Sequence, residues 1–149
     1  MIDIVGYDLD GVICPDICWD GSISDDVIDK LFEIRNALPP IFKPSGEFVI
    51  ITGRPSIDFD RSNPWLERNN IHPIYTHYLI VDKTKWSNDM AIQHKASWIN
   101  YYSMHDSKYK MIKYFESDKE QTLELQKLCS IPIYCFPDFI SMHSKGKKL

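Results

Sequence analysis

The sequence predicts a parallel α/β sheet with helices on both faces. Short apolar runs of strand length recur along the chain, and segments with helically spaced apolar residues alternate with them. The run at 48–52 is also apolar almost throughout, as in a strand buried on both faces.

Residues 2–7 form the first predicted strand, which ends at acidic residues and Gly11. Ser24 can cap a helix whose first turn holds Asp25 and Asp26. Val27, Ile28, Leu31, Phe32, Ile34 and Leu38 are its expected buried face, and Pro39 and Pro40 stop it. Residues 48–52 are the second strand. Asn63 and Pro64 then open a helix to 70, with the proline in its first turn. Residues 74–81 read as extended and 82–89 as a polar loop. A helix at 90–102, a short strand at 113–115 and a helix at 119–129 follow, then a last strand at 131–136 and a tail from Ser141. No repeat or linker divides the chain, so one domain spanning 1–149 is expected.

With 149 residues, 44% hydrophobic and 26% charged, the composition excludes collagen-like and disordered classes. A net charge of -4 argues against a nucleic-acid coat or a polybasic membrane binder; only Lys145, Lys147 and Lys148 are locally basic. No apolar stretch is long enough to span a membrane, and the N-terminal residues do not read as a signal peptide. Cys14, Cys18, Cys129 and Cys135 follow no zinc spacing and make a poor disulfide framework, so a cytoplasmic location is expected.

Ligands of such sheets bind beyond the carboxyl ends of the strands. There the first strand delivers Asp8-Leu9-Asp10-Gly11-Val12, whose two carboxylates point the same way along extended chain. Crowded carboxylates call for a cation or a shared proton. The second strand ends in Thr52-Gly53-Arg54: a hydroxyl, a glycine amide that an anion can approach, and a positive charge. Lys95 and Glu116-Ser117-Asp118 complete a set suited to metal-assisted phosphoryl chemistry.

Together Asp8-Leu9-Asp10-Gly11-Val12, Ile50-Ile51-Thr52-Gly53-Arg54, Lys95 and Phe115-Glu116-Ser117-Asp118 resemble the motifs of the haloacid dehalogenase superfamily, over residues 2–136. The resemblance implies a three-layer Rossmann-like domain and a phosphatase working through an aspartyl-phosphate. Asp8 would be the nucleophile and Asp10 the general acid and base. Thr52 would hold a phosphoryl oxygen, while Gly11, Gly53 and Arg54 contact substrate and Lys95 neutralises developing charge. Asp8, Asp10 (through its carbonyl), Glu116 and Asp118 would hold Mg2+. Lys108 and Lys110 compete with Lys95, and which of Glu116 and Asp118 touches metal stays open.

Relatives select small substrates with an inserted cap, but neither the interval from Asp10 to Thr52 nor that from Thr52 to Lys95 holds a folded one. An uncapped site suits a phosphate on a macromolecule, or takes its roof from a second copy in a homo-oligomer. The segment 13–19 and the loop around Trp86 are the expected substrate contacts. A nucleotidase or nucleic-acid-end phosphatase of the same fold is the alternative enzyme. A non-catalytic module of that fold is the alternative of another class.

Overall fold

A computed structural model describes residues 1–16, 24–82, 85–104 and 108–144. Its strands are β1 (Ile2–Tyr7), β2 (Phe48–Pro55), β3 (Thr76–Leu79), β4 (Tyr109–Glu116) and β5 (Ile133–Cys135). They form one five-stranded sheet in the order β3-β2-β1-β4-β5, with every pairing parallel. The helices are α1 (Asp25–Asn36), α2 (Phe59–Arg68), α3 (Asn88–Met104), α4 (Lys119–Leu128) and α5 (Phe136–Ser144).

Alternation along the strands builds the layers. Ile4, Val49, Ile51 and Tyr114 join Ile92, Ala96 and Ile99 of α3 and Leu125 of α4 in one apolar cluster. Tyr7, Ile50 and Phe115 join Trp65 and Leu66 of α2 and Phe136 of α5 in another. The strand that carries Asp8 thus lies at the centre of a three-layer Rossmann-like sheet, as the sequence predicts.

Several elements depart from expectation. The expected apolar face of α1 is largely solvent-facing, with Val27, Ile34 and Leu38 exposed. Phe32 of that face is buried as expected, and Arg35 is buried with it. Ser24 takes the N-cap position with extended backbone but makes no side-chain cap bond. α2 begins before the Asn63-Pro64 pair, because the 3₁₀ turn Ser56–Asp58 already winds the chain, so Pro64 falls inside it. β4 is longer than the strand expected at 113–115 because residues 109–111 pair with the start of β1, Ile2 opposite Tyr109. α5 takes over at Phe136, the end of the expected last strand, and runs past Ser141 into the expected tail; Pro137 lies in its first turn, where a missing N–H costs little.

Among the described residues, the intervals after β1 and β2 hold only α1, the 3₁₀ turn, α2, β3 and loops. No helix among them is long and apolar enough to cross a membrane.

Candidate active site

The carboxyl ends of β1, β2 and β4 border a cleft of about 190 Å³. Register places its parts. Tyr7 pairs with Phe115, so the next residues, Asp8 and Glu116, emerge side by side, and the Asp8 N–H donates to the Phe115 carbonyl at 2.9 Å. On the other flank the β2–β3 pairing is irregular between Ile51 and Pro55, where Thr52-Gly53-Arg54 runs along the cleft. Lys95 comes from within α3, on the face that also buries Ala91, Ile92 and Ile99.

Asp8, Lys95 and Glu116 form a buried cluster. Lys95 Nζ lies 2.8 Å from Glu116 Oε1, 3.5 Å from Asp8 Oδ1 and 2.8 Å from Gln121 Oε1. The Ser117 hydroxyl donates to Asp8 Oδ2 at 2.9 Å, and Glu116 Oε2 accepts the backbone N–H groups of Ser117 and Asp118 at 2.9 and 3.1 Å. Burial and the neighbouring Glu116 push the Asp8 carboxyl well above the usual carboxylate range, against the opposing pull of Lys95. Burial works in the same direction on Glu116, but Lys95 and the donated hydrogen bonds hold it low. Lys95 stays charged: its burial is outweighed by the two carboxylates.

Asp10 has other company. Arg54 Nε donates to its Oδ2 at 2.7 Å and Arg54 Nη2 to Oδ1 at 3.1 Å, while Arg35 Nη1 reaches Oδ1 at 2.8 Å. Both arginines are buried, at 4% and 1% exposure, and both lie over the Phe32 ring. Burial disfavours the Asp10 carboxylate, yet Arg54 and Arg35 together keep its pKa below the ordinary value.

Smaller parts follow from local chemistry. Gly11 has a φ of +83°, and a Cβ there would lie 2.7 Å from Ser117 Cβ, so the turn after Asp10 requires glycine. Thr52 Oγ1 accepts the Arg54 N–H at 3.1 Å. Trp86 lines the cleft and its indole N–H donates to the Gly53 carbonyl at 2.8 Å. Cys14 is buried beneath the turn, where burial pushes its thiol well up; its Sγ lies 3.6 Å from the Leu9 carbonyl and from Asp10 Oδ1.

Of the residues expected from sequence, Asp8, Asp10, Thr52, Gly53, Arg54, Lys95, Glu116 and Asp118 line this cleft, with Gly11 in the turn beside it. Lys110 pairs with Asp3 and Lys108 precedes β4, so both lie at the opposite end of the sheet. Asp118 Oδ1 caps α4 by accepting the Gln121 N–H at 2.8 Å. Residues 17–19 of the expected substrate segment, with Cys18 and Trp19, and Lys145, Lys147 and Lys148 lie outside the described residues. Sequence reasoning missed Arg35, Ser117 and Gln121. Arg35 does leave a trace: a charged residue on the helical stripe that holds Ile28 and Phe32.

Among the described residues no three His, Cys, Asp or Glu side chains gather as a ready metal cluster. Within the cleft, two buried carboxylates, Asp8 and Glu116, share one cation, Lys95. Mg2+ is commonly held by one or two carboxylates plus water and substrate oxygens, so this donor set fits it.

No family model matches the sequence, and no curated protein does. Among solved structures, the fold is similar to a chain in the Pnkp1/Rnl/Hen1 complex, with a TM-score of 0.56 and 10% identity over 89% of this chain and 44% of that one. It is also similar to a chain in a structure of the Pnkp1/Rnl/Hen1 RNA repair complex, with a TM-score of 0.52 and 13% identity over 90% of this chain and 43% of the other. The likeness is one of fold. This chain spans less than half the length of either matched chain.

Proposed function

We propose that this chain is a metal-dependent phosphomonoesterase of the haloacid dehalogenase type, using Asp8 as nucleophile. The observation that carries the reading is the meeting of Asp8, Lys95 and Glu116 opposite Thr52-Gly53-Arg54 at the carboxyl edge of the sheet. In the first step an Asp8 oxygen bonds to phosphorus and the bond to the leaving oxygen breaks; Asp10, which takes up a proton from solvent once Arg54 has turned to the phosphate, passes it to that oxygen. In the second, Asp10 takes a proton from water, the water oxygen bonds to phosphorus, and the bond to Asp8 breaks, releasing phosphate. Thr52 and the Gly53 N–H hold phosphoryl oxygens, Lys95 offsets their charge and Arg54 grips the phosphate. Asp8 and Glu116, with Asp118 and the Asp10 carbonyl as further donors, would hold Mg2+, which would supply Lewis-acid neutralisation of the phosphate.

The substrate class we infer is a macromolecular phosphate, with a nucleic-acid end preferred over a free mononucleotide. The shallow insertions around the cleft and the fold likeness to RNA repair complex chains support this. Trp86, pinned beside the phosphate loop, offers a ring against which a terminal base can stack.

The test is phosphate release with Mg2+ from an aryl phosphate, mononucleotides, sugar phosphates and 3′- and 5′-phosphorylated oligonucleotides, with wild type beside Asp8→Asn. Metal-dependent turnover, fastest on oligonucleotide ends and absent in the variant, is the expected result. Turnover that persists in Asp8→Asn overturns the mechanism. Failure on every substrate with Mg2+ bound favours the non-catalytic module.

A further inference from the structure

Resting on that reading, we propose that Arg35 is a positioning residue: it holds Asp10 in place while Arg54 transfers from Asp10 to the substrate phosphate. The two arginines meet the same carboxylate from different sides. Arg54 borders the cleft, next to the Thr52-Gly53 segment. Arg35 is anchored behind Asp10, with Nη2 at 3.2 Å from Ser62 Oγ and its guanidinium 4.4 Å from the Phe32 ring centroid. Ser62 is itself buried in α2, and the adjacent Asn36 donates to the Arg61 carbonyl at 3.1 Å. Arg35 is therefore tied to the α1–α2 layer, whereas Arg54 is tied to the ligand-facing strand end.

A phosphate dianion entering beside Thr52 and Gly53 competes with Asp10 for the Arg54 fork, because guanidinium pairs with phosphate as well as with carboxylate. When Arg54 turns, Asp10 gives up both of its Arg54 contacts, one on each oxygen. The Arg35 bond to Oδ1 remains, beside the weaker contact of the Cys14 thiol with the same oxygen at 3.6 Å. It leaves Oδ2 open toward the leaving oxygen and stops the carboxylate from rotating away. A purely structural Arg35 would only fasten α1 to α2.

The leaving group separates these roles, since an aryl phosphate departs without a proton and an alkyl phosphate does not. In Arg35→Lys, the rate of phosphoryl-enzyme formation from an alkyl phosphate is expected to fall on the order of tenfold to a hundredfold, with that from an aryl phosphate and KM little changed, read in the single-turnover burst because the later water step needs Asp10 for both. Arg54→Lys should instead raise KM and weaken inhibition by inorganic phosphate for both substrates. Equal losses on both substrates in Arg35→Lys, or unchanged phosphate inhibition in Arg54→Lys, would overturn the assignment.

A second arm needs no turnover. In ¹⁵N spectra of the wild-type arginine side chains, inorganic phosphate with Mg2+ should shift the Arg54 Nε–H signal and leave that of Arg35 in place. A static Arg54 signal, or one that moves only together with Arg35, refutes the transfer. If the protein hydrolyses nothing but Arg54 still answers phosphate alone, the phosphatase reading falls and the exchange of partners stands.

Discussion

Asp8 and Asp10 flank a single leucine, yet one lies among acids and the other among bases. Asp8 shares Lys95 with Glu116, so two carboxylates divide one cation. Asp10 faces Arg35 and Arg54, so two cations attend one carboxylate. The first arrangement raises proton affinity and invites a further cation; the second holds a carboxylate in its charged form. Side-chain type does not assign roles within Asp8-Leu9-Asp10. The elements brought alongside do, β4 and α3 on one flank and β2 and α1 on the other.

The largest expected effects break this pair. Asp8→Asn should remove turnover by on the order of a thousandfold or more, while keeping or raising thermal stability, because it relieves a crowded pair of acids. Asp10→Asn should do the reverse for stability: it takes from two buried guanidiniums the carboxylate they share, a loss of about 3 kcal/mol in denaturant titration. Equal stability changes in the two variants would dissolve the contrast.

Lys95→Met, next in size, strips the acid pair of its cation. It should lower unfolding free energy by about 2–3 kcal/mol, less than for a fixed ion pair because Asp8 can take a proton. It should also abolish turnover, checked in the same preparation. Glu116→Gln sharpens the metal half of the comparison. Wild type is expected to melt at a higher temperature when millimolar Mg2+ is added, and Glu116→Gln should lose most of that shift in differential scanning fluorimetry.

The smallest effect lies outside the cleft. Burial, with His94 nearby, holds the His77 pKa down to about 4 from 6.5, and its ring stacks on Trp98 at 3.6 Å between centroids. The unfolded chain therefore binds this proton first as pH falls. Stability from this group is complete above about pH 6.5 and declines toward about pH 4. The denaturation midpoint should fall between pH 7 and pH 5, and His77→Phe, which keeps the stack, should flatten that slope.

The sheet and most of the cleft were legible because their signals are local. An apolar run that ends in Asp8-Leu9-Asp10-Gly11 announces a strand and what it delivers, and Thr52-Gly53-Arg54 does the same. Arg35 was not legible, because its meaning depends on a contact with Asp10 across twenty-five positions, and its helix shows more apolar residues than it buries. Gln121 escaped for the same reason: only the packing of α4 beside α3 brings it to Lys95. α5 was missed because its first residue, Phe136, also ends the apolar run read as the last strand.

The approach of Gly53 to α3 gives the cleft its gauge. A Cβ on Gly53 would lie 2.9 Å from the Ala91 methyl and 3.9 Å from Lys95 Cε. The strand end and the helix touch through the two smallest side chains available, so the spacing between phosphate loop and lysine is set by atoms that are missing. One added carbon on either side acts as a shim. It would widen the jaw and part the loop from its counter-charge without altering a single functional group.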